Sequence, residues 1–186
     1  MNPLYIASMN GRLDIVKYLV EKGANIISKD IKGYTPLLIA SRKGHLDIVK
    51  YLVEKGANIE CKDVFGRTSL YTASLNGNLH TVKYLVKKGA NIESESKYAL
   101  ETPTNRYLNI VKYLVENGAN IKSKNIKGYT PLYIASKSGY LDIVKYLVEK
   151  GANIESKDIN GYSFTCCFNE WTFRNCKIFS AKGSQY

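Results

Sequence analysis

The tripeptide Gly-Ala-Asn recurs along this chain of 186 residues at nearly constant intervals, and this limits the folds that the chain can adopt. Its glycines are Gly23, Gly56, Gly89, Gly118 and Gly151, so the intervals are 33, 33, 29 and 33 residues. A segment close to Leu-Asp-Ile-Val-Lys-Tyr-Leu-Val-Glu-Lys precedes each of them. A fixed period of this length indicates stacked supersecondary repeats, each of which buries its apolar face against its neighbours.

Each full repeat begins with a short helix, which the second repeat illustrates. Thr35 and Pro36 predict its start, because a Thr side chain accepts a backbone N–H at the N-cap and Pro is pre-set for the first helical position. The apolar segment Leu37–Ala40 follows, and Gly44 is predicted to end the helix with a positive φ. His45, which follows this glycine, is interpreted as a turn residue rather than a catalytic one.

A second helix is predicted over about Leu46–Lys55, with Gly56 as its stop. Its apolar residues fall at helical spacing and form one stripe, which consists of Ile48, Val49, Leu52 and Val53. The connector that follows has the sequence Lys-Asp-Val-Phe-Gly at its tip, in Lys62–Gly66. Because Asp and Gly favour turns, the connector is predicted to be extended and rich in turns.

These motifs resemble the ankyrin repeat. The resemblance rests on Gly-Tyr-Thr-Pro-Leu-Leu-Ile-Ala-Ser at residues 33–41, Gly-His-Leu at 44–46 and Ile-Val-Lys-Tyr-Leu-Val-Glu-Lys-Gly-Ala-Asn at 48–58, and it recurs within residues 128–153. It implies an all-α solenoid of stacked helix-turn-helix repeats with short β-hairpin fingers that project to one side. It also implies protein–protein binding on the concave face of fingertips and first helices, without enzymatic activity.

The repeats form one array that is expected to cover residues 1–162. They are expected at about residues 2–29, 30–62, 63–95, 96–124 and 125–157, with a further finger to residue 162. The chain begins in mid-repeat, so the first finger is absent. The fourth repeat is four residues short and has Pro103 inside its expected first helix, which should therefore span at most about one turn. Leu108–Asn120 is intact, so the array is expected to continue past this defect.

The repeat pattern does not continue in residues 163–186. They contain Trp171 and three of the four cysteines, Cys166, Cys167 and Cys176, but no histidine. Tetrahedral metal sites need four suitably spaced donors, so we expect no metal here. The tail is expected to be disordered or loosely collapsed on the last helix pair.

A shifted reading frame offers an explanation of the tail. When it is back-translated with favourable codons and read one nucleotide forward, it encodes Pro-Leu-His-Val-Ala-Ser-Met-Asn-Gly-His-Leu-Glu-Ile-Val-Lys-Tyr-Leu-Val-Gln-Lys-Gly-Ala-Asn. The recovered glycine spans the codons of Gly183 and Ser184, where the 33-residue period places it. We therefore hypothesise a frameshifted repeat. This keeps open the alternative that the chain is a truncated or frameshifted fragment of a larger ankyrin protein with no dedicated function.

The net charge of +11 raises a further alternative, a basic surface that binds an acidic ligand or nucleic acid. The lysines recur once or twice per repeat, however, and are interleaved with acidic residues such as Asp47 and Glu54. Mixed charge on one helix face is typical of a solvated face. We therefore expect an unidentified protein or peptide as the partner rather than nucleic acid.

The composition also limits the cellular location of the protein and the chemistry that it can perform. There is no run of about 18 apolar residues and no basic segment followed by an apolar stretch at the N-terminus, so neither a membrane partner nor a secretory signal is predicted. The cysteines do not form a disulfide framework, which favours a cytoplasmic location. No motif predicts a catalytic, cofactor or metal site, and we expect a monomer.

Binding residues are sought where the repeats differ while their framework recurs. The fingertips offer Ile31, Lys32, Tyr34, Val64, Phe65, Arg67, Ile126, Lys127, Tyr129, Ile159, Asn160 and Tyr162. Aromatic and Arg side chains tend to carry interface energy. The predicted partner-binding residues are Tyr34, Arg42, Phe65, Arg67, Tyr71, Tyr129, Tyr133 and Lys137. The alternative is that they are tolerated surface residues of a near-consensus array.

A column of tyrosines is also predicted. One tyrosine occupies the same position in every second helix, at Tyr18, Tyr51, Tyr84, Tyr113 and Tyr146. Their ring bodies are expected to pack together and their hydroxyls to lie near water. This column is interpreted as structural.

Overall fold

The computed structural model describes residues 2–92, 107–125 and 127–155, and the regular elements in this part of the chain are helices. They are α1 Pro3–Met9, α2 Leu13–Glu21, α3 Pro36–Lys43, α4 Leu46–Glu54, α5 Ser69–Leu75, α6 Leu79–Lys87, α7 Leu108–Glu116, α8 Pro131–Lys137 and α9 Leu141–Glu149. The chain divides into two compact units, Met1–Asn120 and Ile121–Tyr186, called here the N-terminal and C-terminal units.

The predicted all-α architecture of helix pairs is confirmed, whereas the described fingers close as turns rather than as β-hairpins. In the finger at residues 30–34, the N–H of Gly33 donates to the carbonyl of Asp30 at 2.9 Å. The N–H of Asp30 donates in turn to the carbonyl of Tyr34 at 3.0 Å. One such bond across a loop is too little for strand pairing, and no strand forms in the described part of the chain.

The first helix of a pair is called here the inner helix, and each of the four that the structure describes begins at a side-chain cap, as the Thr-Pro motif predicts. The caps are Asn2 Oδ1 to the N–H of Leu4 at 2.8 Å, Thr35 Oγ1 to Leu38 at 3.2 Å, Thr68 Oγ1 to Tyr71 at 3.2 Å and Thr130 Oγ1 to Tyr133 at 3.3 Å. A cap of this kind stabilises a helix by about 1 kcal/mol. Gly44 ends α3 at φ 78°, in the left-handed conformation predicted for it.

The second helix of each pair, the outer helix, carries the predicted apolar stripe. In α4 the side chains of Ile48, Val49 and Leu52 are buried, and Val53 is half-buried at the edge of the stripe. The helix ends at Glu54, one residue earlier than predicted, and Gly56 follows at φ 87°. Because the stripe is repeated, one side of each described outer helix faces the core.

Apolar side chains from α1 to α7 form one core cluster in the N-terminal unit. Its larger members are Leu4, Val16, Leu37, Ile48, Val49, Leu52, Leu70, Val82, Leu85, Ile110 and Leu114. Full burial of one such side chain contributes about 1.5–3 kcal/mol. In the C-terminal unit, α8 packs against α9, and the buried residues include Leu132, Ile143, Val144 and Leu147.

Three residues that directly precede an outer helix, His45, Asn78 and Tyr107, connect neighbouring repeats, a role that the sequence did not reveal for His45. Each reaches a carbonyl in the last turn of the inner helix of the preceding repeat, where carbonyls lack the usual partner four residues later in the helix. The bonds run from His45 Nε2 to the carbonyl of Met9 at 3.1 Å, from Asn78 Nδ2 to those of Ser41 and Arg42 at 2.9 and 3.0 Å, and from the Tyr107 hydroxyl to that of Leu75 at 2.6 Å. One polar side chain therefore satisfies a helix terminus and fixes the spacing of two repeats.

The tyrosine column differs from the prediction in its hydroxyls. Those of Tyr51 and Tyr84 are buried without a hydrogen-bond partner among the described residues, although water was expected beside them. Burial raises the pKa of Tyr84, and the negative charge of Glu54 adds to the effect. Only at the first repeat is the ring open to solvent, since Tyr18 is 60% exposed.

Several sequence predictions lie outside the described residues, among them the further finger to residue 162 and the fingertip candidates Ile126, Ile159, Asn160 and Tyr162. The shortened first helix around Pro103 and the tail at residues 163–186 with its frameshift also lie outside them. The continuity of a single array over residues 1–162 likewise stays a prediction.

Candidate functional site

The fingertips are shaped by an Asp or Asn side chain at the start of each finger. Oδ1 of Asp30 accepts the N–H groups of Lys32 and Tyr34 at 2.9 and 2.8 Å. Asp63 does the same for Phe65 and Arg67 at 2.8 and 2.9 Å. In the C-terminal unit Asn125 accepts from Lys127 and Tyr129 at 2.9 and 3.0 Å. These side chains serve to fold the fingers, as their periodic positions indicated.

The two described fingers of the N-terminal unit touch each other. The N–H of Val64 donates to the carbonyl of Lys32 at 3.2 Å, and Nζ of Lys29 donates to the carbonyl of Lys62 at 3.0 Å. Gly33, at φ 75°, permits this approach, because a Cβ there would lie 2.9 Å from the nitrogen of Val64. The two fingertips therefore form a single continuous ridge.

Apolar side chains project from this ridge into solvent. Ile31 is 97% exposed, Phe65 is 69% exposed and Val64 is 63% exposed. Contiguous apolar exposure of this kind is typical of an interaction site. Phe65 was among the predicted binding residues, whereas Ile31 and Val64 were considered as fingertip residues and left out. Their equivalent positions, 33 residues apart, were the signal that could have included them.

Arg67 is held in place at the base of the ridge. Its Nε donates to Oδ2 of Asp63 at 2.7 Å, and the side chain of Asp63 is fully buried. Its Nη2 donates to the hydroxyl of Tyr34 at 2.9 Å. The guanidinium carbon also lies 4.6 Å from the centroid of the Phe65 ring, which is a cation–π contact. The structure thus brings together three of the predicted binding residues, Arg67, Tyr34 and Phe65.

Tyr34 itself differs from the expectation of an exposed ring, since it is only 4% exposed. It supports other groups instead of presenting a surface of its own. Cζ of Arg42 lies 5.6 Å from its ring centroid, and Cζ of Arg67 lies 5.7 Å from it. Arg42 is exposed on α3, so this predicted residue is accessible to a partner.

A cleft of 460 Å³ opens beside this ring in the N-terminal unit. Its lining includes Tyr5, Asp30, Ile31, Lys32, Tyr34 and Arg42. Burial raises the pKa of the Tyr5 hydroxyl, and the charge of Asp30 and a hydrogen bond to it add to this effect. Tyr71 lies on the next inner helix, α5, where it is half-buried.

The three remaining predicted residues lie together in the C-terminal unit. The rings of Tyr129 and Tyr133 stack with centroids 4.4 Å apart and planes inclined by 10°. Nζ of Lys137 lies 5.6 Å from the centroid of Tyr129. Tyr133 is 8% exposed, so its ring also differs from the expectation of exposure. A lysine thus stands over Tyr129 as Arg42 does over Tyr34.

The described residues contain no group of three His, Cys, Asp or Glu side chains arranged to hold a metal ion. Cys61, the cysteine in this part of the chain, is free and half-buried. Among the described helices, none is long and apolar enough to cross a lipid bilayer. The chemistry of the surface is therefore that of apolar contact, cation–π contact and hydrogen bonding.

Comparisons with known proteins agree with this arrangement. The family model described as ankyrin repeats matches three times, over residues 1–63, 56–125 and 104–158. A similar fold occurs in the solved structure of the predatory endopeptidase Bd0816 from Bdellovibrio bacteriovorus in complex with the immunity protein Bd3460. The TM-score is 0.78 and the sequence identity 29%, over 91% of this chain and 92% of that chain. No curated protein sequence matches the chain.

Proposed function

This chain belongs to the ankyrin repeat family, and we propose that it is a scaffold that binds a protein or peptide partner on its finger face. The finger face is the surface of the N-terminal unit that is formed by its fingertips and the exposed sides of its inner helices. The observation that carries this proposal is the ridge of exposed apolar side chains at Ile31, Val64 and Phe65.

Two properties of the ridge favour binding over a purely structural role. Its backbone is fixed by hydrogen bonds within and between the fingers, so little order has to be created when a partner binds. It also combines apolar and aromatic side chains with an Arg in one place, which is the usual composition of the residues that dominate interface energy. The binding role is further supported by the solved complex with a similar fold, which joins an endopeptidase to an immunity protein.

We infer that the protein acts by binding rather than by catalysis, as a monomer in the cytoplasm. The free thiol of Cys61 is compatible with a reducing compartment.

A pull-down with matched surface variants tests the proposed face. The fingertip variant Ile31→Ala/Phe65→Ala removes two exposed apolar side chains. The control Ile15→Ala/Tyr18→Ala removes two from α2, where Ile15 is 52% exposed and Tyr18 60% exposed. Arg67 is left unchanged, because its removal would leave the buried carboxylate of Asp63 without its partner.

Partners recovered by the unaltered chain should be lost from the fingertip variant and retained by the control. If the ridge is a hot spot, the affinity for a purified partner should fall by at least about tenfold. Retention of every partner by the fingertip variant, or loss from the control alone, would place the interface elsewhere.

A further inference from the structure

The cleft beside Tyr34 carries a charge that the protein itself does not neutralise. Asp63 is paired with Arg67. Asp30 accepts two backbone N–H groups and interacts with the Tyr5 hydroxyl, so its carboxylate is also engaged. Arg42 forms no ion pair with any residue that the structure describes, although it lies on the cleft wall. The carboxylates of this region are used internally, and the guanidinium of Arg42 remains available.

The guanidinium of Arg42 is held in position by neighbouring side chains. It lies over the Tyr34 ring, and that ring is fixed because its hydroxyl accepts a hydrogen bond from Arg67. Two guanidinium groups thus lie within 6 Å of one ring centroid, and Asp63 compensates only one of them. The cleft lining combines the cations Lys29, Lys32 and Arg42 with the single carboxylate of Asp30, so a carboxylate brought by a ligand would offset part of the remaining positive charge. A planar guanidinium binds a carboxylate through two parallel hydrogen bonds, and less entropy is lost when it is held beforehand.

The cleft also has an apolar side. Ile31 lines it and is almost fully exposed. The volume of 460 Å³ lies in the lower half of the range of about 300–1,000 Å³ that is usual for ligand pockets. A space of this size takes a few side chains of an extended segment rather than a folded domain.

We propose that this cleft binds an acidic, extended peptide segment in which a Glu or Asp pairs with Arg42 and a neighbouring aliphatic side chain packs against Ile31. The inference rests on the proposed function and specifies the chemistry of the partner. Tyr34 lines the cleft and supports Arg42, whereas Arg67 is absent from the lining and acts as a positioning residue through its bond to the Tyr34 hydroxyl.

A nucleic acid offers negative charge but does not fit the rest of the cleft. Its backbone is bound by several cations at once, and the affinity grows with each phosphate that is neutralised. Here the cations Lys29, Lys32 and Arg42 share the cleft with the carboxylate of Asp30, which would repel a phosphate, and with the apolar side chain of Ile31. A carboxylate with an apolar neighbour matches this arrangement better than a row of phosphates.

Fluorescence anisotropy tests the proposal with a fluorescein-labelled decapeptide of alternating Glu and Leu. The full chain is titrated against it, and a decapeptide of alternating Lys and Leu serves as the opposite-charge probe. Arg42→Gln is compared with Arg12→Gln, which removes the same charge from an exposed Arg before α2 that makes no side-chain cap. Both variants are checked for an unchanged circular dichroism spectrum and melting temperature.

We expect the acidic probe to bind and the basic probe not to bind. Arg42→Gln should raise the Kd by at least about tenfold, in line with the loss of a charge-assisted pair, and Arg12→Gln should change it less than twofold. Arg67→Lys should weaken binding by a smaller factor, because it loosens Tyr34 without removing the ligand's own partner.

Equal losses in Arg42→Gln and Arg12→Gln would show that the acidic peptide binds only by overall charge, and the proposal would be wrong. Displacement of the peptide by an equimolar single-stranded decanucleotide would assign the cleft to nucleic acid instead. Failure of the acidic probe to bind, while the fingertip variant still loses its partners, would reject this inference and leave the proposed function intact.

Discussion

Asp63 forms an ion pair with Arg67, whereas the other two described fingers have a tyrosine at the position of this arginine. An Asp→Asn substitution should therefore lower the free energy of unfolding more at position 63 than at position 30. The three described fingers combine different residues at the same two positions, namely Asp30 with Tyr34, Asp63 with Arg67 and Asn125 with Tyr129. Asn125 accepts the same two backbone N–H groups that Asp63 accepts. An Asn at position 63 therefore keeps the turn, but its amide nitrogen would face Nε of Arg67, and two donors cannot bond to each other.

The magnitude follows from the contacts that are lost. Asp63→Asn removes a charge-assisted hydrogen bond of 2.7 Å to a carboxylate whose side chain is fully buried. Bonds to charged groups contribute about 1.5–3 kcal/mol, and the 26% exposure of Arg67 favours the lower half of this range. We expect a loss of about 2 kcal/mol in the free energy of unfolding. For a protein of this size this is a decrease of roughly 4–8 °C in melting temperature.

Chemical denaturation followed by circular dichroism measures the effect in three variants. Asp30→Asn is the matched control, because Asp30 has no Arg partner, and it should cost less than about 0.5 kcal/mol. Asp63→Asn/Arg67→Tyr recreates the pair found at Asn125 and Tyr129, so it should recover most of the loss. Equal destabilisation by Asp63→Asn and Asp30→Asn, or no recovery in the double variant, would refute the reasoning.

Two further predictions concern the first finger and Tyr5, the α1 residue whose hydroxyl interacts with Asp30 of that finger. Gly33→Ala should destabilise the protein by about 1–2 kcal/mol more than Gly66→Ala in thermal melts. Both glycines have positive φ, but only a Cβ at position 33 would meet the backbone of the neighbouring finger. Equal effects of the two substitutions would show that the fingers do not approach so closely. The pKa of Tyr5 is raised above its ordinary value of 10.0, chiefly by burial, so the fold favours the protonated hydroxyl. The resulting stability is present below pH 10 and is lost as the pH rises through the raised pKa. Tyr5→Phe should therefore lose less stability between pH 9 and pH 11, and an unchanged alkaline profile would contradict this.

The helix pairs were predictable from the sequence because their determinants are local and repeated. A capping Thr, a Pro at the first helical position and a Gly with positive φ each act within one turn of the chain. The 3.6-residue apolar stripe then selects the buried side of the outer helix. The cap made by Thr35, the positive φ of Gly44 and the burial of Leu52 are as predicted, because each follows from residues that are close in the sequence.

The site was only partly predictable, because it depends on contacts between repeats. The aromatic and Arg residues were identified from their residue types, but Tyr34 was expected at the surface and is buried, with two guanidinium groups within 6 Å of its ring centroid. Whether an aromatic ring faces solvent or supports a neighbour is decided by side chains one repeat away. The same is true of His45, whose partner is the carbonyl of Met9, 36 residues earlier.

A near-consensus array can bind selectively because its exceptions occur at positions whose surroundings are otherwise constant. Arg67 occupies the position of Tyr34 and Tyr129. It pairs with Asp63 within its own finger, and its bond to the Tyr34 hydroxyl connects the second finger to the first. Phe65 likewise occupies the position of Lys32 and Lys127, and it places an aromatic ring on the ridge where the other two described fingers carry a lysine. Each exception alters only the contacts made by its own side chain, since the hydrogen bonds that shape the finger are the same in all three fingers. Selection on the partner can therefore act on a few side chains while the repeat framework continues to maintain the fold.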